Sequence, residues 1–204
     1  MSNGRESLQH ENDLKTILLG IQAVGKTNLI KIATGRKFEE EQNSTLSVSF
    51  FEKKIIIDKI EYKIDLWDTI GQENLRQLTK LFYNNSKIVI FVYDITSLKS
   101  FEELKSWHEE VIDQVGDDII KGVVGNKMDL YDNEQVKEEQ GKEFAKSIGA
   151  EYLSISAKTD PPKKFEDFLI LLVKAYLKTG KLGNYSLKIG KDHFADNKNK
   201  NCCK

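Results

Sequence analysis

Residues 20–27 constrain this chain more than any other segment, because Gly-Ile-Gln-Ala-Val-Gly-Lys-Thr fits the pattern Gly-x-x-x-x-Gly-Lys-Thr. The apolar run Ile17-Leu18-Leu19 precedes the segment, and residues 28–33 can begin a helix. A strand, a glycine-containing loop and a helix in this order point backbone N–H groups and the positive end of the helix dipole at one place. Glycine at positions 20 and 25 allows backbone angles and close approaches that a Cβ would block. The sequence therefore predicts a loop that cradles phosphate groups.

Two side chains of this loop have a predicted chemical role. Lys26 can reach the β- and γ-phosphates of a nucleotide, and the Thr27 hydroxyl can ligate Mg²⁺. A chance match to a glycine-containing turn is the alternative, and the strand and helix patterns beside the loop argue against it. The predicted nucleotide contacts of the loop are Gln22, Ala23, Val24, Gly25, Lys26, Thr27 and Asn28.

Composition limits the class of protein. The chain has 204 residues, of which 39% are hydrophobic and 31% charged, as in a soluble globular domain. A net charge of −1 gives no electrostatic reason to expect nucleic-acid binding. No apolar run is long enough to span a bilayer, and the polar start lacks a secretory signal, so we expect an intracellular protein. We expect residues 1–12 to be disordered, residues 13–179 to form one domain and residues 180–204 to be a flexible tail.

Alternating strand and helix patterns predict an α/β fold. Residues 60–66 alternate with a period of two, and residues 88–93 form a continuous apolar run typical of a buried parallel strand. Apolar residues with helical spacing follow in three segments, residues 101–115, 136–148 and 165–177. Such a pattern predicts a mainly parallel sheet with helices on both faces and ligands beyond the carboxyl ends of its strands. The turns expected there are residues 20–27, 68–72, 94–97, 126–129 and 156–158.

The segment Asn126-Lys127-Met128-Asp129 predicts the base of the nucleotide. A carboxylate at Asp129 can accept two hydrogen bonds from guanine, from N1–H and from the exocyclic amine, whereas adenine has neither donor. We expect Asn126 to tie this turn to the phosphate loop and the Lys127 stem to lie over the base. Backbone N–H groups of the turn Ser156, Ala157 and Lys158 can bind the guanine carbonyl. An ordinary polar turn is the alternative interpretation, and the phosphate loop upstream argues against it.

Further residues are predicted to act on the phosphates. Asp68 can hold Mg²⁺ through water, Gly71 can donate its N–H to the γ-phosphate, and Gln72 can orient the attacking water. Thr45, in a segment without periodicity, is predicted to ligate Mg²⁺ and to sense the γ-phosphate, so that loss of this phosphate releases both loops. Phe38 can stack against the edge of the base, or it can simply pack its own loop.

In their order and spacing, these motifs resemble those of small GTPases of the Ras superfamily, and within it the Rab family. Especially Rab-like are Tyr93-Asp94-Ile95-Thr96 and the segment 100–107, Ser-Phe-Glu-Glu-Leu-Lys-Ser-Trp. The resemblance extends from about residue 13 to residue 178. It implies the P-loop NTPase fold in its small G domain form, with a six-stranded, mostly parallel sheet and five helices on both faces.

The resemblance also implies activity and partners. Members of the family bind GTP and GDP with Mg²⁺, hydrolyse GTP to GDP and phosphate, and bind effector proteins in the GTP state. It implies an exchange factor, a GTPase-activating protein and a GDP-dissociation inhibitor as partners, a monomeric state and a role in vesicle trafficking. Three residues match the aromatic positions that shape the Rab effector surface: Phe50, Trp67 and Phe82.

Four positions depart from the family pattern. Gln22 and Ala23 replace small Gly or Ser residues beside the γ-phosphate, Ile70 replaces Ala, and Ser47 replaces Gly. These departures leave open an alternative function, a GTP-dependent effector-binding module with little intrinsic hydrolysis. A metabolic P-loop kinase would need a lid and a second substrate pocket, for which the chain has no spare segment.

Both cysteines of the chain, Cys202 and Cys203, are adjacent and precede Lys204. A C-a-a-X box would need cysteine where Asn201 stands. The pair resembles the Rab signal for two geranylgeranyl groups, and two lipid chains anchor a protein stably whereas one does so only marginally. Two unmodified thiols are the alternative. We therefore expect the protein on the cytoplasmic face of intracellular membranes, with a cytosolic pool.

Overall fold

The computed structural model describes residues 13–40, 48–69 and 80–180, which form one six-stranded sheet flanked by helices. The strands are β1 (Asp13–Leu19), β2 (Ser49–Ile57), β3 (Ile60–Asp68), β4 (Ile88–Asp94), β5 (Ile120–Asn126) and β6 (Glu151–Ser154). The α-helices are α1 (Lys26–Ala33), α2 (Leu98–Val115), α3 (Glu138–Ser147) and α4 (Pro162–Lys178), and a 3₁₀-helix covers Met128–Asn133.

Strand order in the sheet is β2-β3-β1-β4-β5-β6. Only the β2–β3 hairpin is antiparallel among the described strands, and the other four pairs are parallel. Asp58 and Lys59 connect the hairpin with positive φ angles of 50° and 68°, as two-residue hairpin turns require. The predicted α/β fold with a mainly parallel sheet is therefore confirmed.

Helices cover both faces of the sheet and create two hydrophobic clusters. Leu14 and Leu18 of β1 belong to the cluster beneath α1 and α4, whereas Ile17 and Leu19 belong to the cluster beneath α2 and α3. All seven residues of β4 are buried, as the continuous apolar run predicted. The predicted apolar stripe of α4 is buried as well, with Phe165, Leu172 and Val173 fully enclosed.

Element boundaries differ from the predictions in one informative place. Val136 and Ile148 were expected within one helix, but α3 covers only Glu138–Ser147. The backbone N–H of Val136 donates to the carbonyl of Ile95 at 3.1 Å, and this tertiary bond holds Val136 outside the helix. Gln140 accepts a bond from the Lys137 N–H at 2.8 Å and closes a cap at the helix start. Of the five helices that the resemblance implies, the described residues contain four.

The carboxyl ends of the parallel strands meet at one edge of the sheet. Leu18 is paired with Asp68, Asp94 with Asn126, and Gly125 with Ser154. The turns after β1, β3, β4, β5 and β6 consequently begin at this edge, where the sequence predicted the chemistry. Within the described ranges, no helix has the length and apolar character needed to cross a membrane.

Candidate nucleotide-binding site

The loop of residues 20–25 connects β1 to α1, which begins at Lys26. Gly25 caps α1 with a φ of 98°, and a Cβ there would lie 2.2 Å from the Asn126 side-chain nitrogen. A Cβ on Gly20 would lie 2.2 Å from the Val92 carbonyl oxygen. Both glycines are therefore required by close contacts, Gly20 with β4 and Gly25 with the last residue of β5, and the predicted loop geometry is present.

Lys26 is buried and directed back into the loop. Its ammonium donates to the carbonyl oxygens of Gly20 at 2.8 Å and Ile21 at 3.0 Å. Burial lowers the pKa of Lys26 to about 8, although the negative charge of Asp68 opposes this shift. A cation held by two loop carbonyls beside a helix N-terminus can interact strongly with a phosphate.

Thr27 and Asp68 lie together at the ends of α1 and β3. The Thr27 hydroxyl donates to Asp68 Oδ2 at 2.6 Å. The other carboxylate oxygen, Oδ1, is buried and finds no hydrogen-bond partner among the described residues. Burial raises the pKa of Asp68, while the Thr27 hydroxyl and the Lys26 charge oppose that change.

These two oxygen groups fit Mg²⁺, which prefers oxygen ligands and commonly uses one or two protein side chains together with phosphates and water. The unsatisfied Asp68 oxygen is the structural observation that supports this fit. Elsewhere in the part of the chain that the structure describes, no group of three or more His, Cys, Asp or Glu side chains could hold a metal ion.

Asn126, the last residue of β5, is bonded to two neighbouring segments of the site. Its Nδ2 donates to the Val24 carbonyl at 2.8 Å, which is the contact with the phosphate loop that the sequence predicted. Its Oδ1 accepts from the Ala157 N–H at 3.1 Å. One buried side chain therefore fixes the phosphate loop relative to the turn of residues 156–158.

Asp129 and Ser156 form the second link between these turns. The Ser156 hydroxyl donates to Asp129 Oδ1 at 2.5 Å and accepts from the N–H groups of Lys158 at 3.2 Å and Thr159 at 3.1 Å. Asp160, which the sequence analysis did not identify, accepts from the Ser156 N–H at 2.8 Å. The Asp129 carboxylate is thus oriented by the turn predicted to bind the guanine carbonyl.

Lys127 adopts a left-handed backbone conformation, and its ammonium lies 2.6 Å from Asp94 Oδ2. The other oxygen of Asp94 accepts from the Thr96 N–H at 2.9 Å and from the Thr96 hydroxyl at 2.7 Å. Asp94 therefore directs the lysine that is predicted to cover the base. Residues 94–97 were among the turns expected at the site, and Asp94 belongs to the Rab-like segment, but its contact with Lys127 was not predicted.

The side chains of Phe38 and Asn28, both predicted to contact the nucleotide, contact other parts of the protein in the structure. Phe38 is partly buried and packs against the hydrophobic cluster beneath α1 and α4, so its stacking against a base stays a prediction. The Asn28 side chain is bonded to the backbone of Glu39. We therefore expect Asn28 to contact the nucleotide through its backbone N–H, at the start of α1, and not through its side chain.

The proposed effector-surface residues do lie together. The Phe50 and Trp67 rings are 5.5 Å apart between centroids, and the Trp67 and Phe82 rings are 5.4 Å apart. The Lys15 ammonium lies 5.0 Å from the Trp67 ring centroid, and Phe50 is 48% exposed. Together these residues present an aromatic surface at the β2–β3 side of the sheet.

Several predicted site residues lie outside the described residues, namely Thr45, Gly71, Gln72, Cys202 and Cys203, together with the divergent positions Ser47 and Ile70. Their roles stay predictions. Thr69, which was not predicted, is buried at the edge of the site and donates its hydroxyl to the Leu18 carbonyl, linking β3 to the start of the phosphate loop.

Comparison with known proteins agrees with this geometry. The family model described as "Ras family" matches residues 15–178. The chain is 37% identical to Ras-related protein Rab-2B of Dictyostelium discoideum over 77% of its own length and 78% of the relative's. It is 34% identical to Ras-related protein Rab-21 of Mus musculus, over 86% of the chain and 81% of that protein. For Rab-21 of Homo sapiens the identity is 35%, over 82% of the chain and 74% of that protein. The chain therefore belongs to the Rab family of Ras-superfamily small GTPases, which hydrolyse GTP.

Proposed function

We propose that this GTPase is a membrane-anchored switch that alternates between GTP and GDP and regulates vesicle trafficking. The observation that carries the proposal is the orientation of Asp129 by the Ser156 hydroxyl at 2.5 Å, in a turn that Asn126 ties to the phosphate loop. This arrangement offers a carboxylate to a base and backbone N–H groups to phosphates of the same ligand. Guanine is the base that supplies two donors to such a carboxylate.

At the phosphates, each residue has a distinct proposed role. Lys26 and the backbone N–H groups of residues 22–28 bind the phosphate oxygens. Thr27, Asp68 and Thr45 would hold Mg²⁺, which would supply positive charge to neutralise the phosphates. Gln72 orients the attacking water, and Gly71 contacts the γ-phosphate. Loss of the γ-phosphate would release the segments that contain Thr45 and Gly71, and effector proteins would distinguish the two states.

The first experiment compares diphosphates that differ only in the base. We expect binding in the order GDP, then IDP, then ADP, because inosine lacks the exocyclic amine and adenine lacks both donors. One lost hydrogen bond to a buried carboxylate corresponds to roughly tenfold or more in affinity. Asp129→Ala should remove the discrimination, whereas Asp132→Ala, in the same 3₁₀-helix, is the matched control and should retain it. Equal binding of ADP and GDP to the wild type would refute the proposal.

Hydrolysis is tested by single-turnover kinetics at saturating GTP. Gln72→Leu should reduce the rate, because leucine cannot orient water, and an unchanged rate would remove Gln72 from the mechanism. Ile70→Ala tests the alternative of a binding module with little turnover, which predicts that the rate rises when the family residue is restored. The chain belongs to a family of small GTPases, so this alternative is the less favoured one.

Membrane attachment is proposed to depend on geranylgeranyl groups at Cys202 and Cys203. We expect the full-length protein on intracellular membranes, with a cytosolic pool bound by a GDP-dissociation inhibitor. The double variant Cys202→Ser/Cys203→Ser should be cytosolic, because both lipid chains are lost. Residence on membranes that survives this change would require a different targeting mechanism.

The proposed partners follow from the family and from the aromatic surface. We propose a monomer that is loaded by an exchange factor, is accelerated by a GTPase-activating protein, and binds effectors through Phe50, Trp67 and Phe82. Aromatic clusters of this kind are common energetic centres of interfaces. Trp67→Ala should weaken capture of GTP-specific partners without changing GDP affinity, and equal capture by the variant would contradict this role.

A further inference from the structure

Residues 38–40 are attached to α1 by a reciprocal pair of hydrogen bonds. Asn28 Nδ2 donates to the Glu39 carbonyl at 2.8 Å, and the Glu39 N–H donates to Asn28 Oδ1 at 3.1 Å. Asn28 is buried, and the backbone of Glu39 provides the hydrogen-bond partners of both polar atoms of the Asn28 side chain. An amide is the side chain that supplies a donor and an acceptor in this spacing, so neither aspartate nor serine reproduces the pair.

Two ion pairs flank this contact. Lys31, one turn further along α1, lies 2.7 Å from Glu39 Oε2. Lys158 lies 2.8 Å from Glu40 Oε1, and this bond raises the pKa of Lys158. Because the carboxylates of both pairs are largely exposed, each pair contributes little on its own. The buried Asn28 amide therefore supplies most of the attachment.

These contacts connect the two ends of the proposed nucleotide site. Asn28 follows Thr27 in the first turn of α1, at the phosphate end. Lys158 belongs to the turn of residues 156–158, at the base end. Residues 38–40 touch both elements, and Phe38 is anchored on the hydrophobic cluster beneath α1 and α4. A segment fixed at both ends of a ligand site restricts the exit of the ligand.

We propose that Asn28 is a positioning residue whose side chain holds residues 38–40 as a strap across the nucleotide, and so sets the rate at which the nucleotide dissociates. This inference rests on the proposed guanine-nucleotide site. Its consequence is kinetic: breaking the Asn28–Glu39 pair raises the dissociation rate of the nucleotide by a larger factor than it lowers the association rate. An exchange factor that displaces residues 38–40 would then have to break the two hydrogen bonds between Asn28 and Glu39.

The test measures dissociation of the fluorescent analogue mant-GDP into excess unlabelled GDP. Loss of two hydrogen bonds predicts that Asn28→Ala releases mant-GDP roughly tenfold faster or more. Asn28→Asp should behave similarly, because its carboxylate repels the Glu39 carbonyl, and it provides a second variant of nearly equal size. Lys31→Gln should change the rate by no more than about threefold. The matched control is Asn84→Ala, an exposed asparagine before β4, at the opposite edge of the sheet, which should release at the wild-type rate.

The outcomes separate this inference from the proposed function. If the wild type does not bind mant-GDP, the proposed function fails. If it binds, and both Asn28 variants release within twofold of the wild type, the strap is overturned. A fall in the association rate as large as the rise in the dissociation rate would indicate a merely structural role and also overturn it. Amide hydrogen exchange of the GDP-bound wild type needs no variant: Glu39 should be protected, and an unprotected Glu39 amide would show that the strap is not held.

Discussion

Ala23 has a left-handed backbone conformation in the middle of the phosphate loop, with a φ of 66°. Residues with a Cβ are strained there by about 1–2 kcal/mol, because the Cβ approaches the following carbonyl oxygen. Glycine removes this strain, but it costs about 0.4–1 kcal/mol through the greater entropy of the unfolded chain. We therefore expect Ala23→Gly to raise the free energy of unfolding by roughly 0.5–1 kcal/mol, the difference between these two terms.

The chain offers matched controls for this prediction. Gly149 has a φ of 67°, and a Cβ placed on it would have nothing within 4 Å. Gly149→Ala should accordingly lower stability by a similar amount, through backbone strain without a steric clash. Ala175 lies inside α4, and Ala175→Gly should lower stability by about 1 kcal/mol, because glycine weakens a helix interior. The same replacement of alanine by glycine thus has opposite predicted signs at positions 23 and 175.

Thermal unfolding in a fixed excess of GDP measures these effects, with GDP affinity determined separately so that its contribution can be subtracted. For a domain of this size, about 1 kcal/mol corresponds to roughly 2–4 °C in Tm. We expect Ala23→Gly to raise Tm by about 1–4 °C and the two controls to lower it. A corrected decrease for Ala23→Gly comparable to that of Ala175→Gly would refute the strain argument, because both changes would then act through chain entropy alone.

Two further predictions concern Lys26 and Ser156. Burial lowers the pKa of Lys26 to about 8, and bound phosphates favour its charged form, so GDP binding takes up a proton when the pH exceeds about 8. From pH 8 toward pH 10, GDP affinity should fall by up to about tenfold per pH unit, with no contribution from Lys26 below that window. Calorimetry at pH 9 in two buffers of different ionisation enthalpy detects the proton, and its absence would contradict the shift. Ser156→Ala removes the 2.5 Å bond to Asp129 and should weaken GDP binding by roughly fivefold to tenfold while leaving ADP binding unchanged, as equilibrium titration would show.

The sequence was sufficient to predict the edge of the sheet where the site lies. Continuous apolar runs identify buried parallel strands, and parallel strands place their carboxyl ends together, so the turns after β1, β3 and β5 had to meet. The contact between Asn126 and Val24 joins residues 102 positions apart, and it was predicted because each turn carries its own pattern. The helix α3 was predicted as an element, but its start was not, since the bond from Val136 to Ile95 is a tertiary contact.

Three contacts that depend on the direction of a side chain could not be predicted from the sequence. Asp94 and Lys127 were both visible as residues at or just after strand ends. Their ion pair was not predicted, and neither was the left-handed backbone conformation of Lys127, which no local pattern indicates. Asn28 was assigned to the nucleotide through its place in the loop. That contact stays a prediction, whereas the bond from its side chain to the backbone of Glu39, 11 positions later in a segment without periodicity, was not predicted. Asp160 was missed because it binds a backbone N–H rather than a predicted ligand atom.

The polar contacts of the site fall into two sets: those that a bound nucleotide would replace and those that it would leave in place. The bonds from Lys26 to the loop carbonyls and from Thr27 to Asp68 occupy groups that phosphates and Mg²⁺ would also need, so we expect binding to exchange them. The bonds from Asn126 to Val24 and from Asn28 to Glu39 involve side-chain groups for which no phosphate or Mg²⁺ contact is proposed, so we expect these bonds to persist in the bound state. Substitutions in the first set should therefore abolish affinity, because they remove ligand groups. Substitutions in the second set should change mainly the dissociation rate, because they loosen the frame around a ligand whose own contacts are intact.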